Sequence, residues 1–474
     1  MIKAEIVDPN ITNFIGSLRD IGYSFEVAVA DLVDNSITAK SNSIIVYTVA
    51  KPTPIFCLLD NGSGMDETEL IEAMRLASKN PADIRKKDDL GRFGLGLKTA
   101  SFSQCKKLTV ISKKKGGNLY CRQWDLDYIS KENKWLLITP GEYDHIPLFN
   151  VLLLQKSGTL VCWENLDRID KNSYSYTIDR LRKHLALVFH RYLEGFEGNK
   201  AIKIIVNNNP VVPFNPFNSN NDYTQELFLE KIKLHGSTIK IQPFILPHHS
   251  KLSQQEYNLY ATEDGYIKSQ GFYLYRRNRI LIYGTWWGLH KAMDAHKLVR
   301  IKIDIENDID SYWGIDIKKS IARPSEEIRN DLRRIIDEVT KKGARPFTGR
   351  GKKIEDKTLI QFWDILPINN DLRFALNKDH PLLKELMGAL SLDSIEKLDF
   401  YLKGIEAYLP LDAIQYNLQA NPHLIQQESA LSDEDVLLLS KKMKDAGLAD
   451  DYINELLRTE IYLNRKHLYH DGNK

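Results

Sequence analysis

The sequence predicts an α/β fold (α+β): a mixed sheet with helices on one face, then a second α/β domain, then a helical C-terminal region. Three observations carry this reading. Apolar residues recur at helical spacing near the start, at Ile11, Phe14, Ile15, Leu18 and Ile21. Short apolar runs rich in β-branched residues follow, punctuated by Gly, Asn and Asp. Beyond residue 343 the pattern turns largely helical.

Taken in order, the first helix stops at Gly22, and a second starts with Ser24 as N-cap and carries Asp31 and Asn35. Strands are expected at 43–48 and 55–59. A helix over about 67–77 leads into a polar stretch, 78–89, that suits a lid. Further strands are expected at 108–112, 119–126 and 159–164, and a helix over about 173–193 closes the domain. The next domain opens with a strand at 202–206 and an Asn207-Asn-Asn-Pro210 turn. Residues 271–280 read as one strand with basic residues at its end, and 313–320 as a strand ending in Lys318 and Lys319. Ser325 then caps a helix with the stripe Ile328, Leu332, Ile335, Ile336 and Val339, ending at Gly343. Residues 345–353 form a basic, glycine-rich linker, read either as a solvated connector or as a contact for phosphate backbones. Past it, Ser432 to Gly447 is a capped helix.

Length and composition set outer limits. A chain of 474 residues accommodates three domains, and 43% hydrophobic content fits globular cores. The formal net charge of +2 carries no nucleic-acid signal from the total. The four cysteines, Cys57, Cys105, Cys121 and Cys162, lie apart in apolar runs and read as reduced, buried thiols. The twelve histidines form no zinc pattern, and His248-His249 reads as a loop. There is no run long enough for a membrane helix and no signal peptide, so a cytoplasmic location is expected.

Three short motifs carry the chemistry. The first is Asp31-Leu-Val-Asp34-Asn35-Ser36, in which Asp31 and Asn35 lie one helical turn apart and project from one face. The second is Asp60-Asn-Gly62-Ser-Gly64-Met65, directly after a strand. The third is Gly91-Arg-Phe-Gly94-Leu95-Gly96-Leu-Lys98-Thr99. Each alone has an ordinary reading: a solvated helix face, a strand followed by a tight turn, and a glycine stretch that misses a P-loop because a residue separates Gly96 from Lys98. Their order and spacing over the first hundred residues, with Ser157-Gly158-Thr159 at the start of a later strand, change the weighing.

Together these motifs resemble the ATP site of the GHKL superfamily, which includes gyrase, the ninety-kilodalton heat-shock chaperones, histidine kinases, MutL and the MORC proteins. The resemblance implies a Bergerat-type α/β sandwich. It implies that Asp31 activates the attacking water, Asn35 holds magnesium, and Asp60 reads the adenine amino group. Gly62 and Gly64 match glycines that let the backbone approach base and sugar, and Met65 lies beside the adenine. Gly91, Gly94, Leu95, Gly96 and Lys98 resemble the hinge of a phosphate-covering lid, and Thr159 the threonine beyond the adenine. A lysine of the second domain reaches the γ-phosphate in the family; Lys318 and Lys319 are the candidates, and the sequence does not separate them. The implied cofactors are ATP and Mg2+. One departure stands out, because the family has Glu where this chain has Asp31, one methylene shorter. A base must lie within hydrogen-bonding reach of its water, so either the helix sits closer or hydrolysis is slow.

The expected organisation is an ATP-binding domain at 1–199, a transducer-like domain at 200–343 and a mostly helical domain at 344–474. About thirty residues precede Asp31, too few for the helix pair of a sensor histidine kinase, at about 1.5 Å per residue. No gyrase-like acidic cluster or MutL-like endonuclease motif is visible. The arrangement most resembles a prokaryotic MORC-like ATPase. That implies an ATP-gated clamp that swaps its N-terminal segment, residues 1–18, onto a second copy. The implied client is DNA, in phage defence, restriction or repair, with a nuclease or helicase as a possible neighbour and no membrane partner. The rival expectations are a chaperone-like remodeller of proteins and an ATP-binding regulatory subunit with little turnover.

Overall fold

In the computed structural model, described for residues 10–76, 96–169, 173–196, 198, 200–263, 265–316, 321–343, 359–368, 371–420, 430–445, 449–463 and 465–470, the chain divides into two units. One comprises residues 1–247 and 260–340, the other 248–259 and 341–474.

The first unit begins with α1 (Ile11–Arg19), capped by the Asn10 side chain on the Asn13 amide. Next comes α2 (Phe25–Thr38), whose N-cap Ser24 accepts from the Val27 amide. The strands β1 (Ser43–Val49) and β2 (Ile55–Asp60) follow, then α3 (Glu67–Met74), which starts with a reciprocal Asp66–Glu69 capping box. After α4 (Gly96–Gln104) come β3 (Cys105–Lys113), β4 (Leu119–Asp125), α5 (Leu126–Glu132), α6 (Phe149–Leu154) and β5 (Gly158–Leu166). The expected closing helix is two pieces, α7 (Tyr174–Val188) and α8 (His190–Glu194), joined at Phe189. The pair β6 (Lys203–Val206) and β7 (Asn209–Pro210) completes a seven-stranded sheet of order β4-β3-β5-β2-β1-β6-β7. It is mixed: β1 and β6 run parallel, and the remaining neighbours antiparallel.

One face of this sheet meets α1, α2, α4 and α7 over a core that includes Val29, Leu32, Phe56, Leu58, Trp163 and Leu185. The expectation of helices on a single face needs one correction. Ile146, Phe149 and Leu152, on and before α6, cover the opposite face around Leu59, Ile111 and Leu160. These strands are apolar on both sides, so leaving the second face bare would expose a continuous apolar surface. All four cysteines are buried and free.

The second sheet is built from β8 (Gln225–Glu226), β9 (Glu230–Leu234), β10 (Ser237–Ile245), β11 (Gly271–Arg276), β12 (Arg279–Thr285) and β13 (Val299–Ile305). The helices α9 (Gln254–Ala261) and α10 (Gly265–Lys268) lie between β10 and β11 in sequence. The strand order is β12-β11-β13-β10-β8, with β9 also on β10. The single strand expected at 271–280 is a hairpin. Arg277 and Asn278 both take positive φ, 53° and 68°, and two such residues make the tight turn that matches strand twist. A strand at 313–320 is also not formed over its described part: a 3-10 helix covers Asn307–Trp313, and Gly314 turns the chain at φ 49°. Lys318 and Lys319 lie outside the described residues, as do the lid stretch 78–89, the linker 345–353, and Gly91, Gly94 and Leu95. The predicted stripe of α11 (Glu326–Gly343) is buried throughout, Ile328, Leu332, Ile335, Ile336 and Val339 packing with Ile239, Ile301 and Trp313.

The second unit is mostly helical. Its principal helices are Pro381–Ala389, Leu392–Ala407, Leu411–Ala420, Asp433–Asp445 and Asp450–Leu456. It also holds a hairpin the sequence reading missed, β14 (Trp363–Ile368) against β15 (Asp371–Leu376). Ser432 caps its helix as expected, accepting from the Asp435 amide. Gly447 is outside the described residues. Among the described residues no helix is long and apolar enough to cross a membrane.

Leu332 is fully buried between α11 and its sheet. Leu332→Ala is expected to cost about 2–5 kcal/mol in chemical denaturation; a change within the error of the midpoint would contradict this packing.

Candidate functional site

The centre of the site is the junction of α2, the end of β2 and the start of β5. Burial on α2 is uneven in a telling way. Asp31 and Asp34 are 2% and 1% exposed, whereas Asn35 is exposed. The helix therefore turns two carboxylates inward and offers one amide outward, one turn on from Asp31.

Asp60 ends β2 with its carboxylate buried. Ser36 Oγ donates to one carboxylate oxygen at 3.0 Å, and the Gly62 amide donates to the other at 2.8 Å. Burial raises its pKa, opposed by the hydrogen bonds from the Gly62 amide, Ser36 and the Thr159 amide. Thr159 lies directly opposite Asp60 across the β2–β5 ladder. Its hydroxyl meets Ser112 Oγ at 2.8 Å, and Ser112 in turn receives the Met65 amide at 2.9 Å. Asp60, Thr159, Ser112 and Met65 thus form one connected polar seam across β2, β5 and β3.

The glycines are required by the protein's own packing. Gly64 has φ +65°, and a Cβ there would lie 1.8 Å from the Lys113 carbonyl oxygen. A Cβ on Gly62 would come within 2.8 Å of Ala39, at the end of α2. The neighbouring Ser63 amide donates to the Ala39 carbonyl at 2.9 Å. Close backbone approach is what glycine alone permits, and here it locks the turn after β2 to α2 on one side and β3 on the other. Asn61 adds to this lock: its side-chain oxygen accepts from Ser41 Oγ and from the Asn42 and Ser43 amides.

Around Asp31 the elements converge again. Tyr23 Oη donates to Asp31 Oδ2 at 3.1 Å. Burial, then the Asp31 charge, pushes the Tyr23 phenol far above its usual range, while a hydrogen bond with Thr99 opposes this. Gly96 begins α4 beside the acid, with a hypothetical Cβ 3.6 Å from Asp31 Oδ2. A carboxylate near a helix N-terminus is favoured by the exposed amides there. Lys98, on the same helix, is 2% exposed and donates to the Ala73 carbonyl at 2.9 Å, near the C-terminal end of α3.

The structure therefore brings together Asp31, Asn35, Asp60, Gly62, Gly64, Met65, Gly96, Lys98 and Thr159 on adjoining elements. Sequence reasoning missed Tyr23, Ser36, Ser112 and Arg279. Ser36 had a signal, since it directly follows Asn35 on α2. Arg279 was visible only as one of the basic residues at the end of the 271–280 run, because it arrives from the second sheet.

Residues 23–159 match the family model described as histidine kinase-, DNA gyrase B-, and HSP90-like ATPase. The matched segment opens at Tyr23 and closes at Thr159, so it spans the whole of this junction. Over these residues the chain is similar to a GHKL-type ATPase domain, and its mixed α/β architecture agrees with that likeness. No curated protein matches the chain.

Gly64→Ala places a methyl group into the end of β3 and a non-glycine residue at positive φ. It is expected to lower the melting temperature clearly and to disrupt the seam; a wild-type melting curve would show that the turn is free to move.

Proposed function

We propose that the chain is an ATP-driven conformational switch that hydrolyses ATP slowly. The observation that carries this is the Asp60 carboxylate, buried at the end of β2 and oriented by Ser36, Gly62 and Thr159. An oriented, acceptor-only group of this kind reads an exocyclic amino group and rejects a carbonyl at the same place. Adenine supplies the amino group. Met65, partly buried against the core, supplies the apolar neighbour.

In this reading Asn35 and the nucleotide phosphates hold magnesium. The donor set fits, since Mg2+ takes a few protein oxygens and keeps substrate phosphates and waters for the rest. Bound magnesium neutralises phosphate charge. Asp31 orients the attacking water, held in place by Tyr23. Gly96 and the α4 amides face the anionic end of the ligand. Lys98 and one of Lys318 and Lys319 supply cationic charge to the phosphates, Lys98 after leaving the Ala73 carbonyl.

Closure around ATP would pair two copies, with residues 1–18 exchanged between them, and hydrolysis would reopen the pair. The domain division we infer is 1–199 for the ATP domain, 200–343 for the transducer and 344–474 for the appendage, although β6 and β7, which the sequence reading gave to the second domain, complete the first sheet. We take DNA as the client because the motif set resembles prokaryotic MORC-like ATPases. A measured DNA affinity that falls steeply with salt would support this, and its absence would favour a protein client.

Two outcomes test the reading. Asp60→Asn should abolish ATP binding in calorimetry, and unchanged affinity would remove the adenine assignment. Asp31→Asn should stop turnover with ATP still bound, at a cost of about a hundredfold or more. If Asp31→Asn instead matches the wild-type rate, the chain acts by nucleotide binding alone, a reading that the short acid at this position favours.

A further inference from the structure

We propose that Arg279 is a positioning residue for hydrolysis, through which the second sheet governs the acid at Asp31. This rests on the reading of Asp31 as the group that orients the attacking water.

Arg279 opens β12 immediately after the Arg277-Asn278 turn, and that turn is gripped from the other side. Tyr192 Oη on α8 donates to the Arg277 carbonyl. Arg191, also on α8, donates to Asn278 Oδ1 at 3.1 Å and forms a two-pronged pair with Asp304 on β13. The same α7–α8 segment closes the ATP domain, and Leu187 of α7 packs with Tyr273, Tyr275 and Ile280 of the second sheet. The hairpin tip is therefore fixed before its arginine reaches α2.

What it reaches is a pair of buried acids one turn apart. Arg279 Nε lies 2.9 Å from Asp34 Oδ1, and its Nη2 lies 3.9 Å from Asp31 Oδ1, with all three side chains 4% exposed or less. His184 supplies no competing positive charge. Burial, with Arg279 and then Arg180 adding to it, lowers its pKa to about 3, so the ring is neutral near pH 7. Buried like charges on one helical turn repel each other strongly, and the buried guanidinium offsets this. Asp31 is thus held at Oδ2 by the Tyr23 hydroxyl from the entry to α2, and has the Arg279 guanidinium, from the second sheet, 3.9 Å from Oδ1 as a neighbouring charge. The direct anchor of Arg279 is Asp34, so it acts on the acid and touches no substrate. A shift of the hairpin relative to α2 would change the field at Asp31, which links sheet movement to turnover.

The test compares wild type, Arg279→Gln, Arg279→Lys and the double variant Arg279→Gln/Asp34→Asn for melting temperature, ATP affinity by calorimetry and kcat. Arg279→Gln is expected to lower kcat about tenfold or more while ATP affinity stays close to wild type. Arg279→Lys keeps the charge but loses the planar fork, and is expected to recover part of the rate. The double variant restores local charge balance. It should regain melting temperature without regaining kcat. If the double variant regains kcat together with stability, Arg279 only stabilises the fold and the proposal falls. It falls equally if Arg279→Gln turns over at the wild-type rate. A wild type that binds ATP without turnover overturns the positioning role and leaves nucleotide binding standing. A wild type that binds no ATP overturns the functional reading beneath it.

Discussion

Three carboxylates, Asp31, Asp34 and Asp60, are buried within one turn of helix and one strand end, and much of the first unit follows from that. Taking an ionised carboxylate out of water costs several kcal/mol unless partners replace the lost hydration. Each partner here comes from a different element. Asp60 needs Ser36 from α2, the Gly62 amide from its own turn and the Thr159 amide from β5. Asp31 needs Tyr23 from the loop before α2, and Asp34 needs Arg279 from the second sheet. The fold can satisfy these groups only if α2 lies across the sheet at the β2–β5 ladder and the hairpin of the second sheet approaches α2. Replacing a buried ion pair by well-packed apolar residues is often neutral or stabilising, so stability alone does not account for this arrangement.

The glycines follow from the same constraint. Gly62 and Gly64 let the turn after β2 press against Ala39 and Lys113, and without that approach the Asp60 carboxylate would lose the Gly62 amide. Gly158 plays the matching part on β5, where a Cβ would lie 2.2 Å from the Asp60 carbonyl oxygen. The turn, the ladder and the helix end are held at separations that larger residues do not allow. The nucleotide reading therefore rests on geometry that the protein needs for its own packing as well.

Much of this was legible in the sequence because it is local. Ser24 as N-cap, the Asp31–Asn35 spacing, the strand ending at Asp60 and the stripe of α11 all follow from short-range periodicity and capping. What was not legible depends on long-range contact. Ser112 becomes a hub only because β3 pairs with β5, and Arg279 matters only because a hairpin from the second sheet lies against α2. The 271–280 run looked like one strand because Arg277 is not a usual turn residue. Asn278 was the available hint, since it tolerates positive φ better than most residues. Over its described part, 313–316, the expected strand is not formed for a related reason: alternating apolar residues at Trp313, Ile315 and Ile317 read as a strand in sequence, while Gly314 turns the chain.

The central claim is that these buried acids and their polar seam form an adenine nucleotide site. A crystal structure with magnesium and a non-hydrolysable ATP analogue tests it most directly. The account predicts the adenine amino group within hydrogen-bonding distance of the Asp60 carboxylate, the base beside Met65, and the triphosphate running past Asn35 towards Asp31. A nucleotide bound elsewhere on the chain, or one whose base makes no contact with Asp60, would contradict it.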